Sequence, residues 1–203
     1  MAYKAHEVSL HLHWSFPLRW FGFIDNAIFL LGTKHIGETF DDSWRVDETY
    51  VKIKGRWNYL YRAVDKEGCT IDFNLSVHRD QLATARFFKK ALRADHSEVP
   101  RVINVDKNAS YPPAIESAKE AGYLPEGTEL RQVKYLNNGV ESDHRRIKRL
   151  INHGLGFKGF WTAHKTIRGY ETMHMIRKGQ VTGPHGSYME QVRFIEEVFG
   201  VAA

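Results

Sequence analysis

Three consecutive strand-like segments, separated by tight turns, are the feature that most constrains the fold of this chain. They are residues 43–54, 57–64 and 69–77. The first alternates in the manner of a β-strand, with Val46 on one face and Val51 and Ile53 on the other. Gly55 and Gly68 mark the two turns. Three strands connected in this way predict an antiparallel meander.

The apolar period then changes to that of a helix, which Asp80 is placed to cap. A short buried-type strand, residues 101–105, follows Pro100, and Ser110 is predicted to cap a helix that Gly122 closes. Further elements are predicted at residues 130–133 (strand) and at 139–151, 162–176 and 188–199 (helices). The predicted fold class is therefore α/β, a mixed five-stranded sheet flanked by helices.

The positive charge is concentrated in one quarter of the sequence. The 203 residues carry a formal net charge of +5, whereas residues 131–178 alone hold 11 basic and 3 acidic side chains, a net charge of +8. Such a segment is typical of a nucleic-acid-binding surface, and it is equally compatible with a solvated helical face.

Composition excludes several classes of protein. Hydrophobic residues make up 42% of the chain and charged residues 26%, which is typical of a globular protein and not of a disordered one. A single cysteine, Cys69, excludes an internal disulfide and zinc sites built on paired cysteines. The start of the chain lacks a secretion signal, and no apolar run approaches the ~20 residues that cross a bilayer. We therefore expect a soluble, cytoplasmic protein without a membrane partner.

Three carboxylates are predicted to converge. Asp47 lies inside the first strand, where a charge is costly unless it is paired or coordinates a metal. Asp106 ends the fourth strand, and Glu141 begins the basic helix. Any one of them alone would ordinarily be a surface carboxylate or a cap. Together, oxygen ligands from neighbouring strands and a covering helix suit Mg²⁺ or Mn²⁺, and two such ions can cleave a phosphodiester.

Basic side chains follow Glu141 at helical spacing. His144, Arg145 and Lys148 lie three, four and seven residues after it, on the same predicted helix face. A carboxylate that binds a metal, followed by cations that bind the phosphate backbone, forms a coherent site. The residues predicted to contact DNA are His144, Arg145, Lys148, Arg149 and Lys107, although such cations would ordinarily form a solvated face.

Glu48 and two tryptophans are predicted to have structural rather than catalytic roles. Glu48, beside Asp47, is expected to point to the opposite face of the strand and to be an ion-pair partner rather than a further metal ligand. Trp44 and Trp57 are predicted to lie in the core, with base stacking on DNA as the alternative.

Four segments together carry a family resemblance. They are SWRVDETY (43–50), YRAVD (61–65), VINVDKN (102–108) and RQVKYLNN (131–138). They closely resemble bacterial insertion-sequence transposases of the DDE type, the cointegrate-forming family with an integrase catalytic core. The 34 residues between Asp106 and Glu141 match the family's second gap, and Lys148 matches its basic signature. The resemblance covers about residues 42–180.

The resemblance implies a ribonuclease-H-like fold with Asp47, Asp106 and Glu141 as the metal-binding catalytic triad. It also implies Mg²⁺ or Mn²⁺ as cofactor, double-stranded DNA (element ends and target) as partner, a homo-oligomer on DNA, and association with the bacterial nucleoid. The implied activity is cleavage and strand transfer during DNA transposition.

Residues 1–40 do not resemble the helix-turn-helix with which this family recognises its element ends. The predicted organisation is an atypical N-terminal segment (1–40), a DDE integrase-like catalytic domain (41–180) and a C-terminal amphipathic helix (181–203). Two alternatives follow: a truncated remnant that binds DNA or a full-length transposase without catalysis, and a ribonuclease-H-like hydrolase that performs no strand transfer.

Overall fold

The computed structural model describes residues 42–93, 99–133, 145–151, 157–180 and 187–199. The elements, in chain order, are β1 (Ser43–Ile53), β2 (Arg56–Val64), β3 (Thr70–Ser76), α1 (Gln81–Leu92), β4 (Val102–Val105), α2 (Tyr111–Glu120), β5 (Glu129–Gln132), α3 (residues 145–151), α4 (Phe160–Arg177) and α5 (Tyr188–Phe199). Among these helices, none has the length and apolarity needed to span a bilayer. The predictions made for residues 1–40 and for residues 139–144 lie outside the described residues.

The five strands form one mixed sheet in the order β3-β2-β1-β4-β5. The meander β1-β2-β3 is antiparallel, and β4 and β5 add to it in parallel. Helix α1 lies between β3 and β4 and helix α2 between β4 and β5, since a strand that pairs in parallel needs a crossover connection. This is the ribonuclease-H-like arrangement, so the predicted fold class is confirmed.

The alternation in β1 separates two cores, as predicted. Val46 packs with α1 and α2 on one face of the sheet. Val51 and Ile53 pack on the other face with Ile147 of α3 and Ile167 of α4. We call these the α1/α2 face and the α3/α4 face. Because α3 packs on the second face, its position relative to β1 is fixed by apolar burial.

The capping predictions have mixed outcomes. Asp80 caps α1, since its Oδ1 accepts a hydrogen bond of 2.8 Å from the Ala83 amide. Ser110 occupies the N-cap position of α2, as predicted, but its side chain makes no capping hydrogen bond. Its hydroxyl instead accepts a hydrogen bond from Thr84 on α1, and Pro112 and Pro113, which follow Tyr111 in the first turn of α2, have no amide N–H to donate to a cap.

Two aromatic side chains lie elsewhere than predicted. Trp44 is fully buried, as expected, but Trp57 is 56% exposed, so its assignment to the core was wrong. Trp57 lies at the end of the β1–β2 hairpin, beyond the part of the described sheet that α1 and α2 cover. The apolar spacing of Tyr188, Val192 and Ile195 predicts that Tyr188 lies on the apolar face of α5, but Tyr188 is 72% exposed.

A buried ion pair attaches α4 to the sheet. Nη2 of Arg62 in β2 donates a hydrogen bond of 2.8 Å to Glu171 Oε2, and Nε of Arg62 lies 2.7 Å from Glu171 Oε1. Both side chains are fully buried. A pair of this kind adds little net stability over an apolar pair, but removal of one partner leaves an uncompensated buried charge.

We therefore expect Glu171→Gln to destabilise the fold by about 3–5 kcal/mol, because it leaves Arg62 charged and buried. For a chain of this size the melting temperature should fall by about 6–20 °C. Glu116→Gln is the control, since Glu116 pairs with Lys119 at the surface and its removal should cost under about 1 kcal/mol. Equal melting temperatures of the two variants would contradict the assigned role of the buried pair.

Candidate metal centre

The parallel pairing of β1 with β4 brings two predicted ligands together. The register aligns Arg45 with Asn104, and Asp47 and Asp106 each lie two residues further along in the same direction. The side chain of Asn104 reinforces this register, since its Nδ2 donates to the Trp44 carbonyl at 3.1 Å. Asp47 and Asp106 are therefore adjacent because of strand pairing, as the sequence predicted.

The carboxylates of Asp47, Glu48 and Asp106 form a compact cluster. One oxygen from each lies within 4.8 Å of the other two. Asp47 and Asp106 are partly exposed, whereas Glu48 is buried. Hard carboxylate oxygens at this separation, with part of the cluster open to solvent, fit a divalent cation of the Mg²⁺ or Mn²⁺ kind.

Glu48 has a full set of partners of its own. Its Oε1 forms an ion pair with Arg79 and accepts a hydrogen bond of 2.8 Å from Asn108 Nδ2. Its Oε2 accepts a hydrogen bond of 2.5 Å from the Tyr111 hydroxyl on α2. This one carboxylate thus connects β1 with the segment before α1, the loop after β4, and the start of α2.

The ion-pair role predicted for Glu48 is confirmed by the contact with Arg79. Strand alternation did not indicate how near its carboxylate is to Asp106. β4 ends at Val105, and the loop after it turns toward the face of β1 that bears Glu48, as the Asn108 contact shows. Asp106 therefore lies close to carboxylates from both faces of β1.

Local hydrogen bonds hold the loop after β4. The Asn108 amide donates to Asp106 Oδ1 at 3.0 Å, and the Ser110 amide donates to Asn108 Oδ1 at 3.1 Å. The roles of Asn108, Tyr111 and Arg79 were not predicted from the sequence. Asn108 stood within a segment used for the family resemblance, but nothing in the sequence indicated its contact with Glu48.

Burial raises the pKa of Asp106 above its ordinary value. The Asn108 amide acts against this by donating to the carboxylate, while the negative charges of Glu48 and Asp47 add to the increase. Burial also raises the pKa of Tyr111 well above that of a free tyrosine, and the neighbouring Glu48 adds to the effect. Tyr111 is thus a hydrogen-bond donor to Glu48 across the physiological range.

The predicted DNA-binding residues are exposed where they are described. Arg145, Lys148 and Arg149 project from α3 into solvent, whereas Ile147 of the same helix is buried. Lys107, next to Asp106, is also exposed. The other two predicted site residues, Glu141 and His144, lie outside the described residues, so their roles stay predictions from the sequence.

The raised pKa of Asp106 makes stability depend on pH. Between the ordinary and the raised pKa the native state binds more protons than the unfolded state, so this group's contribution to stability falls as pH rises. We expect Asp106→Asn to increase the free energy of unfolding at pH 7 in metal-free buffer. The gain should shrink as pH falls toward about 4, where the carboxyl is protonated in both states.

Urea unfolding at several pH values, with a chelator present, measures this effect. Glu126→Gln, which removes an exposed carboxyl outside the cluster, is the control and should change stability by under about 0.5 kcal/mol at each pH. A free energy of unfolding lower for Asp106→Asn than for the wild type at pH 7 would contradict the inference that burial and repulsion between carboxylates destabilise ionised Asp106.

Solved structures of integrase catalytic cores are similar to this chain at low sequence identity. The HTLV-2 integrase catalytic core domain in complex with magnesium has a TM-score of 0.46 and 20% identity, over 59% of this chain and 75% of that one. The BIV integrase catalytic core has a TM-score of 0.46 and 14% identity, over 63% and 80%.

Curated relatives extend along most of the chain. A transposase for the insertion sequence-like element IS431mec of Staphylococcus aureus is 32% identical over 173 residues, which is 85% of this chain and 74% of that protein. A transposase for insertion sequence element IS257 in transposon Tn4003, also from S. aureus, is 33% identical over 66% of this chain and 58% of its own length. An uncharacterized Yersinia pseudotuberculosis protein is 42% identical over 76 residues, 37% of this chain and 71% of its own length.

A family model gives the assignment directly. Residues 41–180 match the model DDE_Tnp_IS240, described as a DDE domain, which is more than half of the chain. Together with the transposase relatives, this match shows that the chain belongs to the DDE transposase family of insertion sequences, whose members are polynucleotidyl transferases of DNA transposition.

Proposed function

We propose that this protein catalyses metal-dependent cleavage and strand transfer of DNA, with Asp47, Asp106 and Glu141 as its catalytic, metal-binding carboxylates. The cofactor is Mg²⁺ or Mn²⁺, bound as two ions. The observation that carries the proposal is the approach of the Asp47 and Asp106 carboxylates, within 4.8 Å, where the loop after β4 meets the middle of β1.

The two aspartates are partly exposed, so this position between β1 and the end of β4 is suited to holding charge. Asp47, Asp106 and Glu141 would hold two divalent ions, whose chemistry would be to lower the pKa of the attacking water or hydroxyl and to stabilise the leaving oxygen of an in-line displacement. In the proposed reaction, water breaks the phosphodiester at an element end, which releases a 3′ hydroxyl and leaves a 5′ phosphate on the flanking strand. That hydroxyl then attacks a target phosphodiester and displaces the 3′ oxygen of the target strand. The residues of the chain orient the reacting groups and balance their charge, without a covalent intermediate.

The contacts of Glu48 hold the loop after β4, which bears Asp106, against β1. Because Glu48 binds Asn108, whose amide in turn binds Asp106, the carboxylate of Asp106 is fixed relative to β1. Arg79 also pairs with Oε1 of Glu48, and Tyr111 donates to Oε2, which disposes Glu48 to support the ligands rather than to replace one.

The basic side chains of α3 are proposed to bind the phosphate backbone. The helix packs on the α3/α4 face through Ile147, and Asp47 occupies a β1 position whose parity matches Val51 on that face. Exposed Arg145, Lys148 and Arg149 therefore project from the side of the sheet that Asp47 faces, and His144 and Lys107 complete the proposed contacts with DNA.

The partners of this reaction are double-stranded DNA at element ends and at the target. We propose that the protein acts as a homo-oligomer on DNA, because joining two element ends to one target requires more than one catalytic centre. The non-catalytic remnant remains the alternative, and a cleavage assay separates the two.

Incubation of the full chain with supercoiled DNA and Mn²⁺ should produce new 3′ ends, and a chelator should prevent this. Asp47→Asn and Glu141→Ala should each reduce the product to the level seen without metal, because the remaining carboxylates hold the ions loosely. Glu126→Ala is the control and should cleave like the wild type. Absence of product with every divalent metal, from a folded protein that binds DNA, would favour the remnant.

Replacement of Lys148 and Arg149 by alanine should weaken binding to any duplex, because these cations are expected to bind phosphates and not base edges. The slope of log K against log salt should flatten by about 0.9 for each phosphate that is no longer neutralised, or about 1.8 for both. The control replaces Lys66 and Arg86, which removes the same charge from the β2–β3 turn and from α1. Equal slopes of log K against log salt in the two double variants would show that Lys148 and Arg149 do not contact the DNA backbone.

A further inference from the structure

An exposed group of aromatic and basic side chains lies at the end of the β1–β2 hairpin. The antiparallel register pairs Tyr50 with Tyr59 and Lys52 with Trp57, so these four side chains share one face of the sheet. Tyr50 is 46% exposed and Trp57 is 56% exposed. We call this group, together with Arg79, the hairpin platform.

Contacts within the hairpin platform orient its rings. The Tyr50 ring lies 6.0 Å from that of Trp57 at 81° and 5.4 Å from that of Tyr59 at 61°. Lys52 Nζ lies 5.6 Å from the centre of the Trp57 ring, and Arg79 Cζ lies 5.8 Å from that of Tyr50. Edge-to-face rings and cation–π contacts hold these side chains in place without burying them.

The hairpin platform adjoins the metal centre. Arg79, which lies over Tyr50, is the same residue that forms an ion pair with Glu48. Tyr50 lies two residues after Glu48 on the same face of β1, about 7 Å along an extended strand, whereas Asp47 points to the opposite face. A nucleic-acid strand that reached Asp106, beside Glu48, could therefore extend over the platform without a change in the fold.

The chemistry of the hairpin platform indicates what would cover it. Exposed aromatic rings on an antiparallel sheet, interleaved with cations, are the features with which proteins bind unpaired nucleotides, since every base has a face that stacks. Lys52 is complementary to phosphate, while Arg79 and the buried Glu48, the acidic residue of this face in β1, pair with each other.

We propose that the hairpin platform binds single-stranded DNA, with unpaired bases stacked on Trp57 and Tyr50 and a phosphate beside Lys52. Paired bases cannot stack on these rings, since their faces are covered by neighbouring base pairs. The platform therefore distinguishes single-stranded from duplex DNA, a selectivity that the basic face of α3 does not supply. This inference goes beyond the proposed function, because stacking needs no metal and no cleavage.

The test measures binding of the full chain to a fluorescein-labelled oligo(dT) and to a duplex of equal length, by anisotropy, with a chelator present. Trp57→Ala should weaken oligo(dT) binding about 5- to 150-fold, the effect expected when one base–aromatic stack is removed, and leave duplex binding within about twofold. Trp57→Phe should recover most of the affinity because it retains a stacking ring. Trp161→Ala is the matched control, since Trp161 of α4 is 72% exposed and lies outside the platform.

Intrinsic fluorescence gives a second readout. Oligo(dT) should quench the tryptophan emission of the wild type and of Trp161→Ala, but much less that of Trp57→Ala. Equal oligo(dT) affinities of Trp57→Ala and Trp161→Ala, with melting temperatures like the wild type, would overturn the proposal. So would an equal weakening of single-stranded and duplex binding, or a change of oligomeric state in Trp57→Ala with unchanged DNA affinity, which would make the platform a protein interface. Since no metal is present, failure of cleavage does not affect the outcome.

Discussion

The parallel pairing of β1 with β4 is the constraint on which the candidate site depends. It places two carboxylates at adjacent strand positions although 58 residues separate them in sequence. Like charges at this separation repel, and the raised pKa of Asp106 reflects burial together with that repulsion. The fold maintains the arrangement because β1 is paired on both sides and its two faces are buried in separate cores. A divalent cation would relieve the same repulsion.

Glu48 shows how the fold tolerates a buried charge beside the site. Its carboxylate is held by a cation, an amide and a hydroxyl from three different segments, so that burial does not leave its oxygens without partners. Those segments precede α1, follow β4 and begin α2. The contacts of this one carboxylate therefore hold three segments of the α1/α2 face against β1. Support of this kind keeps ligands of a metal centre oriented before the metal binds.

Local patterns were sufficient to predict most of the fold. Alternation in β1, the cap at Asp80 and the helical spacing after it depend on neighbouring residues, and these predictions agree with the structure. The approach of Asp47 to Asp106 also followed, because strand order limits which strand ends meet. The exposure of Trp57 could not be predicted, since it depends on how far α1 and α2 extend over the hairpin. The contacts of Asn108 and Tyr111 with Glu48 depend on a loop conformation that no sequence period describes.

The central claim is that Asp47 and Asp106, with Glu141, hold divalent ions beside β1, where β4 ends. Crystals of the full chain grown with Mn²⁺ and analysed by anomalous scattering would test it most directly. We predict two anomalous peaks beside these carboxylates, with ligand oxygens at about 2.1 Å, and Glu48 still bound to Arg79. The absence of anomalous peaks beside Asp47 and Asp106, or a Mn²⁺ ion bound by Glu48 in place of Asp47, would contradict the account.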